Sequence, residues 1–156
     1  MNHIVVADEN SISRSEALTK LKGIASSAWR TDFFEETQWG SGRFCKLRMT
    51  MAATDSEGAA VRVGFFAEGT YMGSLSERQG GELLNISMSV GGKTVYSIKG
   101  LYSGTNNQEN PQQDLFNHDI WKLIGEPAYQ QRNQPSPGAA GQTPGVKPSV
   151  SATLIL

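Results

Sequence analysis

From residue 37 to 103 the hydrophobic period changes to two, broken by turns and loops, a period that fits half-buried β-strands. "FCKLRMTMA" (44–52) sets Cys45, Leu47, Met49 and Met51 on one parity and Phe44, Lys46, Arg48 and Thr50 on the other. "AAVRVGFFAEG" repeats the pattern, with Val61, Val63 and Phe65 against Arg62, Gly64 and Phe66. "ELLNISMSV" turns Leu84, Ile86, Met88 and Val90 inward and Asn85, Ser87 and Ser89 outward. "TVYSIKGLY" places Tyr96, Ile98 and Tyr102 opposite Val95, Ser97 and Lys99. "TDSEG" (54–58) reads as a turn and the glycine-rich 69–81 as a long mobile loop. "VGGKT" (90–94) reads as a tight hairpin, because a type I′ connection needs positive φ at both central residues. Four antiparallel strands follow, the last two being the most firmly specified pair.

"HIVVA" (3–7) adds a short strand ahead of these. Ser13 and Glu16 have capping-box spacing, and Leu18, Leu21, Ala25 and Ala28 continue a helical stripe that Ala17 and Ile24 widen, so a helix is expected over about 14–29. Pro111 behind Asn110 marks a second helix start after the polar loop 104–113. Phe116, Ile120, Leu123 and Ile124 form its apolar stripe, and Gly125 and Pro127 are expected to stop it. After Tyr129 the composition shifts to Pro, Gly and Gln, which cannot repay ordering entropy by burial. The expected organisation is a β-rich globular domain over 1–129 and a flexible tail over 130–156 ending in the apolar peptide "SVSATLIL". The expected class is α+β: an antiparallel sheet of four or five strands, OB-like or coactivator-like, with one N-terminal and one C-terminal helix.

Several function classes fall away. Hydrophobic residues make up 38% of the chain, enough for one modest core, and no run approaches a membrane span. The start has neither a basic flank nor a small-residue cleavage site, so the expected location is a bacterial cytoplasm. The single Cys45 excludes an internal disulfide and, on the apolar parity, reads as a small buried hydrophobe. "GGKT" (91–94) has Ser87 where a phosphate loop needs glycine, and a strand follows it instead of a helix. His3 and His118 have no Cys or His at ligand spacing, and "HD" (118–119) reads as a polar helix face. No Gly-x-Ser-x-Gly elbow occurs, and the pairs Glu35–Glu36 and Asp8–Glu9 read as solvated or capping groups. No catalytic residue, metal or cofactor is expected, and the chain is not read as an enzyme.

The outward parity carries the functional lead. It holds Phe44, Lys46 and Arg48, then Arg62 and Phe66, then Lys99, with Arg43 and Lys93 at strand ends. A net charge of −1 argues against binding by bulk charge but permits a local basic face. Cations interleaved with rings suit single-stranded nucleic acid, since cations follow phosphates and rings stack on bases. Trp39, with Trp29 and Tyr71, would extend that platform. The plainer account is that any half-exposed sheet carries Lys and Arg, and that Phe44 and Phe66 pack under a helix.

The β-rich core, Gln/Pro/Gly-rich tail and distinct terminal peptide together resemble the organisation of bacterial and phage single-stranded DNA-binding proteins. That resemblance implies an oligonucleotide-binding barrel, single-stranded DNA as ligand, a role in replication and a protein partner for the tail. RNA is the other ligand the sheet face would suit, and a homo-oligomer is expected because a small sheet with open edges often pairs with a copy of itself. Two features differ from the pattern: "SATLIL" has no acidic residue, and helices flank the strands where the barrel inserts one between strands 3 and 4. Small dimeric coactivator-type single-strand binders share the order of sheet then helix. The alternative function is a structural or adaptor protein, a virion or complex component docking partners through a sheet edge or "SVSATLIL".

Overall fold

Strict alternation builds long strands. The computed structural model describes residues 3–7, 10–39, 43–69, 71–72, 74–78, 82–102 and 111–133; at 3–7, 38–39, 43–45, 71–72, 74–78, 82, 102 and 133 this covers backbone alone. The strands are β1 (His3–Ala7), β2 (Arg30–Trp39), β3 (Arg43–Thr54), β4 (Ala60–Glu68), β5 (Tyr71–Met72), β6 (Ser74–Arg78), β7 (Glu82–Val90) and β8 (Lys93–Tyr102). Six of them form one antiparallel sheet in the order β1-β8-β7-β4-β3-β2. The protein is α+β and sheet-rich, with helices before and after the main run of strands, as its sequence implies. The main sheet has six strands because Arg30–Trp39 forms a strand of its own. β1 and β2 lie at opposite edges, so the described sheet is open, and its order is not that of a five-stranded barrel. The segment read as a loop, 69–81, carries the small β5–β6 hairpin.

Turn chemistry fixes the registers. Gly91 and Gly92 take φ of 61° and 85°, the pair of positive values that a type I′ turn requires. In the β3–β4 turn, Asp55 Oδ1 accepts from the amides of Glu57 (2.9 Å) and Ala59 (2.8 Å). The Ala59 amide and Lys20 both hold the Asp55 carboxyl below its usual pKa. Lys20 reaches Asp55 Oδ2 at 3.0 Å, which ties this turn to the first helix.

That helix, α1 (Arg14–Lys22), begins with the capping box that its sequence announces. The Glu16 amide donates to Ser13 Oγ (3.1 Å) and the Ser13 amide to Glu16 Oε1 (2.8 Å). Such caps contribute about 1 kcal/mol. The helix is shorter than the expected 14–29. Gly23 caps it, Ala25 is extended at φ −59°, ψ 142°, and Ser26–Ala28 form a 3₁₀ turn. Ala17, Leu21 and Ile24 of the expected stripe are buried and Trp29 joins them, while Ala25 and Ala28 are exposed.

The second helical region departs further from expectation. Helix α2 (Pro111–Asn117) stops at His118, a π-helical segment spans Trp121–Gly125, and α3 (Glu126–Asn133) continues the chain. Neither Gly125 nor Pro127 stops it. The π turn shifts the ladder, and the Glu126 amide bonds back to the Trp121 carbonyl. Pro127 then sits in the first turn of α3, where a missing N–H is tolerated. His118 does not lie on a polar face. It is buried, and its Nδ1 accepts from the Ile120 amide at 3.0 Å, capping the next turn. Burial, with a smaller push from Arg14, lowers its pKa to about 4.

All these helices pack on one face of the sheet. Trp121 stands edge-on to Phe65 (centroids 5.1 Å, 89°), stacks on Phe116 (5.1 Å, 25°) and meets Tyr129 (5.3 Å, 62°). Leu47, Met49, Met51, Val61, Val63, Ile86 and Met88 form the sheet side of this core. Gly125 permits the contact: a Cβ there would lie 2.5 Å from the Trp121 ring and 2.9 Å from that of Phe65.

Two predictions follow from the helical layer. Gly125→Ala should destabilise by about 1–3 kcal/mol through overpacking, measurable as a lowered denaturant midpoint at unchanged m. His118 supplies a pH dependence. Its folded pKa lies below the unfolded value of 6.5, so its contribution is complete above that value and declines as pH falls toward about 4. Between those values wild type should lose on the order of 3 kcal/mol that His118→Asn, which keeps a capping acceptor, retains. Equal pH slopes for the two proteins would remove His118 as the cause.

Candidate functional site

Among the described residues no helix covers the other face of the sheet, and there the even-numbered residues of β3 and β4 emerge. The register sets Arg48 beside Phe66 and Glu35, Thr50 beside Gly64 and Phe33, and Asn85 beside Phe66 and Lys99. Over these strands lies a groove of about 640 Å³. Phe33, Phe66, Lys46 and Arg48 border it, with Thr50, Gly64, Asn85 and Ser87 among its lining residues. Gly64 carries no side chain, which keeps the middle of this face low. An added Cβ would sit 3.3 Å from Ser87 Oγ.

Of the residues expected here, Lys46, Arg48 and Phe66 come together along the groove. Arg62 and Lys99 are on the same face by register, beside Ser89 and Asn85. The side chains of Trp39, Phe44 and Tyr71 lie outside the described residues. Trp29 does not extend the platform: it is buried among the core residues of the opposite face. Phe33 is the residue that sequence reasoning missed. It is 39% exposed, and the Arg48 guanidinium lies 5.5 Å from its ring centroid, a cation–π contact. The adjacent aromatics Phe33–Phe34 are the signal that could have found it, because neighbours on a strand point to opposite faces.

Electrostatics moderates the basic character of the face. Arg62 pairs with Asp32, and Arg48 Nη1 lies 3.8 Å from Glu35 Oε1. Both carboxylates belong to β2, where a register shift between Thr31 and Phe33 brings Asp32 toward Arg62. Side-chain exposures of 53% and 36% put the Arg48–Glu35 pair in water, where such pairs contribute about 0–1 kcal/mol. Among the described residues Lys46 and Lys99 make no ion pair.

A second polar feature lies on the inner face. Glu36 is fully buried, accepts from the Tyr129 hydroxyl at 2.5 Å, and has no partner for Oε1 among the described residues. It lies on the same strand as Phe34, over which the Arg132 guanidinium sits at 4.8 Å from the ring centroid. Burial lowers the Arg132 pKa. The Tyr129 bond fastens α3 to β2, and Glu36 lies on the face of the sheet opposite the open groove. Among the described residues no cluster of three or more His, Cys, Asp or Glu is placed to hold a metal, and no helix is long and apolar enough to cross a membrane. Comparison with family models, curated proteins and solved structures finds no match to this chain.

Proposed function

We infer that the protein binds single-stranded nucleic acid, with little sequence preference, along the bare face of its sheet. The observation that carries this reading is the groove in which Phe33 and Phe66 alternate with Lys46 and Arg48 over a polar floor. Each ring offers a base a stacking surface, for about 1–3 kcal/mol per base. Among the described residues Lys46 and Lys99 have no ion-pair partner to give up on meeting a phosphate. Arg48 and Arg62 must exchange a carboxylate for one, at a cost of about 0–1 kcal/mol for exposed pairs. DNA is the expected ligand, with RNA accepted where the 2′-hydroxyl is tolerated, and no catalytic step is assigned. The adaptor reading draws on one specific observation: β2 is a ten-residue edge strand with no strand partner on its outer side among the described residues. A second copy or another protein could extend the sheet there.

A titration of labelled oligo-dT at two salt concentrations tests the assignment. Wild type should bind at micromolar protein or below and weaken with salt, by a slope of about −0.7 per phosphate contact. Lys46→Glu with Arg48→Glu should flatten that slope and weaken low-salt binding at least about tenfold. Phe66→Ala should weaken binding at every salt concentration by about 1–3 kcal/mol and leave the slope unchanged. Absence of salt-dependent binding at micromolar protein would transfer the assignment to the edge-strand adaptor.

A further inference from the structure

A second concavity lies on the helical side of the sheet and owes nothing to the nucleic-acid reading. It holds about 290 Å³ between the end of α1, the 3₁₀ turn, the π segment and α3. Leu21, Ile24, Trp29, Met51 and Ile124 supply its apolar lining, while Ser26 and Gln131 give its rim donors and acceptors. An apolar floor with a polar rim is the anatomy of a peptide-docking groove. The Trp29 indole N–H, buried with its ring, has no hydrogen-bond partner among the described residues.

We propose that this groove is the docking site of the chain's own segment 149–156, "SVSATLIL". Two observations select this occupant. The groove is lined by Ala128 and Gln131 of α3, the helix from which the rest of the sequence departs. Asn133 is five residues past Ala128, about 8 Å along a helix. Residues 134–148, "QPSPGAAGQTPGVKP", contain few apolar side chains and no Asp or Glu, whereas 149–156 bring Val150, Leu154, Ile155 and Leu156 together. That spacer is long enough to loop back to its own helix, since an extended residue spans up to about 3.3 Å. The lining chemistry then favours this concavity over the sheet-face groove. The sheet-face groove sets Lys46, Arg48, Ser, Thr and Asn among its rings, while this one, with Lys22 as its one charged lining residue, offers mostly aliphatic and indole surface. A tether of this length gives an effective concentration of about 1 mM, so an intrinsic affinity of only about 0.1 mM holds the segment bound about ten to one.

Amide hydrogen exchange on the intact chain tests this, read by mass spectrometry on the peptide covering 149–156. Wild type should exchange there about tenfold more slowly than an unstructured reference, independently of protein concentration. Leu154→Asp with Ile155→Asp should abolish the protection. So should Ser26→Trp or Gln131→Trp, both at exposed rim positions where the fold tolerates change. Fast exchange in wild type overturns the proposal, and so does protection that survives both rim variants. Protection that grows with protein concentration assigns the groove to the segment of a second copy and also overturns it.

Discussion

The architecture depends on the close approach of Trp121 to Phe65, made possible by the missing side chain at Gly125. An indole buried edge-on against a sheet phenyl contributes its transfer free energy and a directional ring contact. Because Phe116 and Tyr129 also pack on that indole, one side chain joins α2, the π segment, α3 and β4. The whole helical layer is thereby committed to one face. The bareness of the other face follows from this: with both terminal helical regions on the same side, no described helix remains to cover Arg48, Phe66 and Phe33.

The two faces show a division of chemistry within single strands. Leu47, Met49 and Met51 serve the core while Lys46, Arg48 and Thr50, interleaved with them, border or line the groove. The period of two lets one twelve-residue strand do both without a loop. The cation-rich side is held in check by β2, whose Asp32 and Glu35 answer Arg62 and Arg48. A face of this kind is polyampholytic instead of simply basic, which agrees with a whole-chain charge near zero.

What the sequence made legible and what it hid have identifiable causes. β3, β4, β7 and β8 could be read because their inward residues alternate without interruption, and α1 because Ser13 and Glu16 form a reciprocal cap. β2 could not be read. The register shift at Asp32 breaks its parity, and a carboxylate, Glu36, occupies an inward position that pattern reasoning reserves for apolar residues. The continuation through Gly125 and Pro127 was hidden for a similar reason, since both are stop signals in an α-helix and only the π turn accommodates them. Missing β2 also concealed part of the site. Lys46, Arg48 and Phe66 were foreseen as neighbours, but Phe33 and the two restraining carboxylates all belong to the unread strand.

The placement of β1 has a temporal consequence. It pairs with β8, His3 against Tyr102, although β2, β3, β4 and β7 come between them in sequence. Closing so long a span carries a large chain-entropy cost, so this contact forms late relative to the hairpins. During synthesis, at about 5–20 residues per second, β1 emerges well before its partner exists. Residues 3–7 therefore wait until the rest of the meander is laid down, and their arrival completes the last row of the sheet.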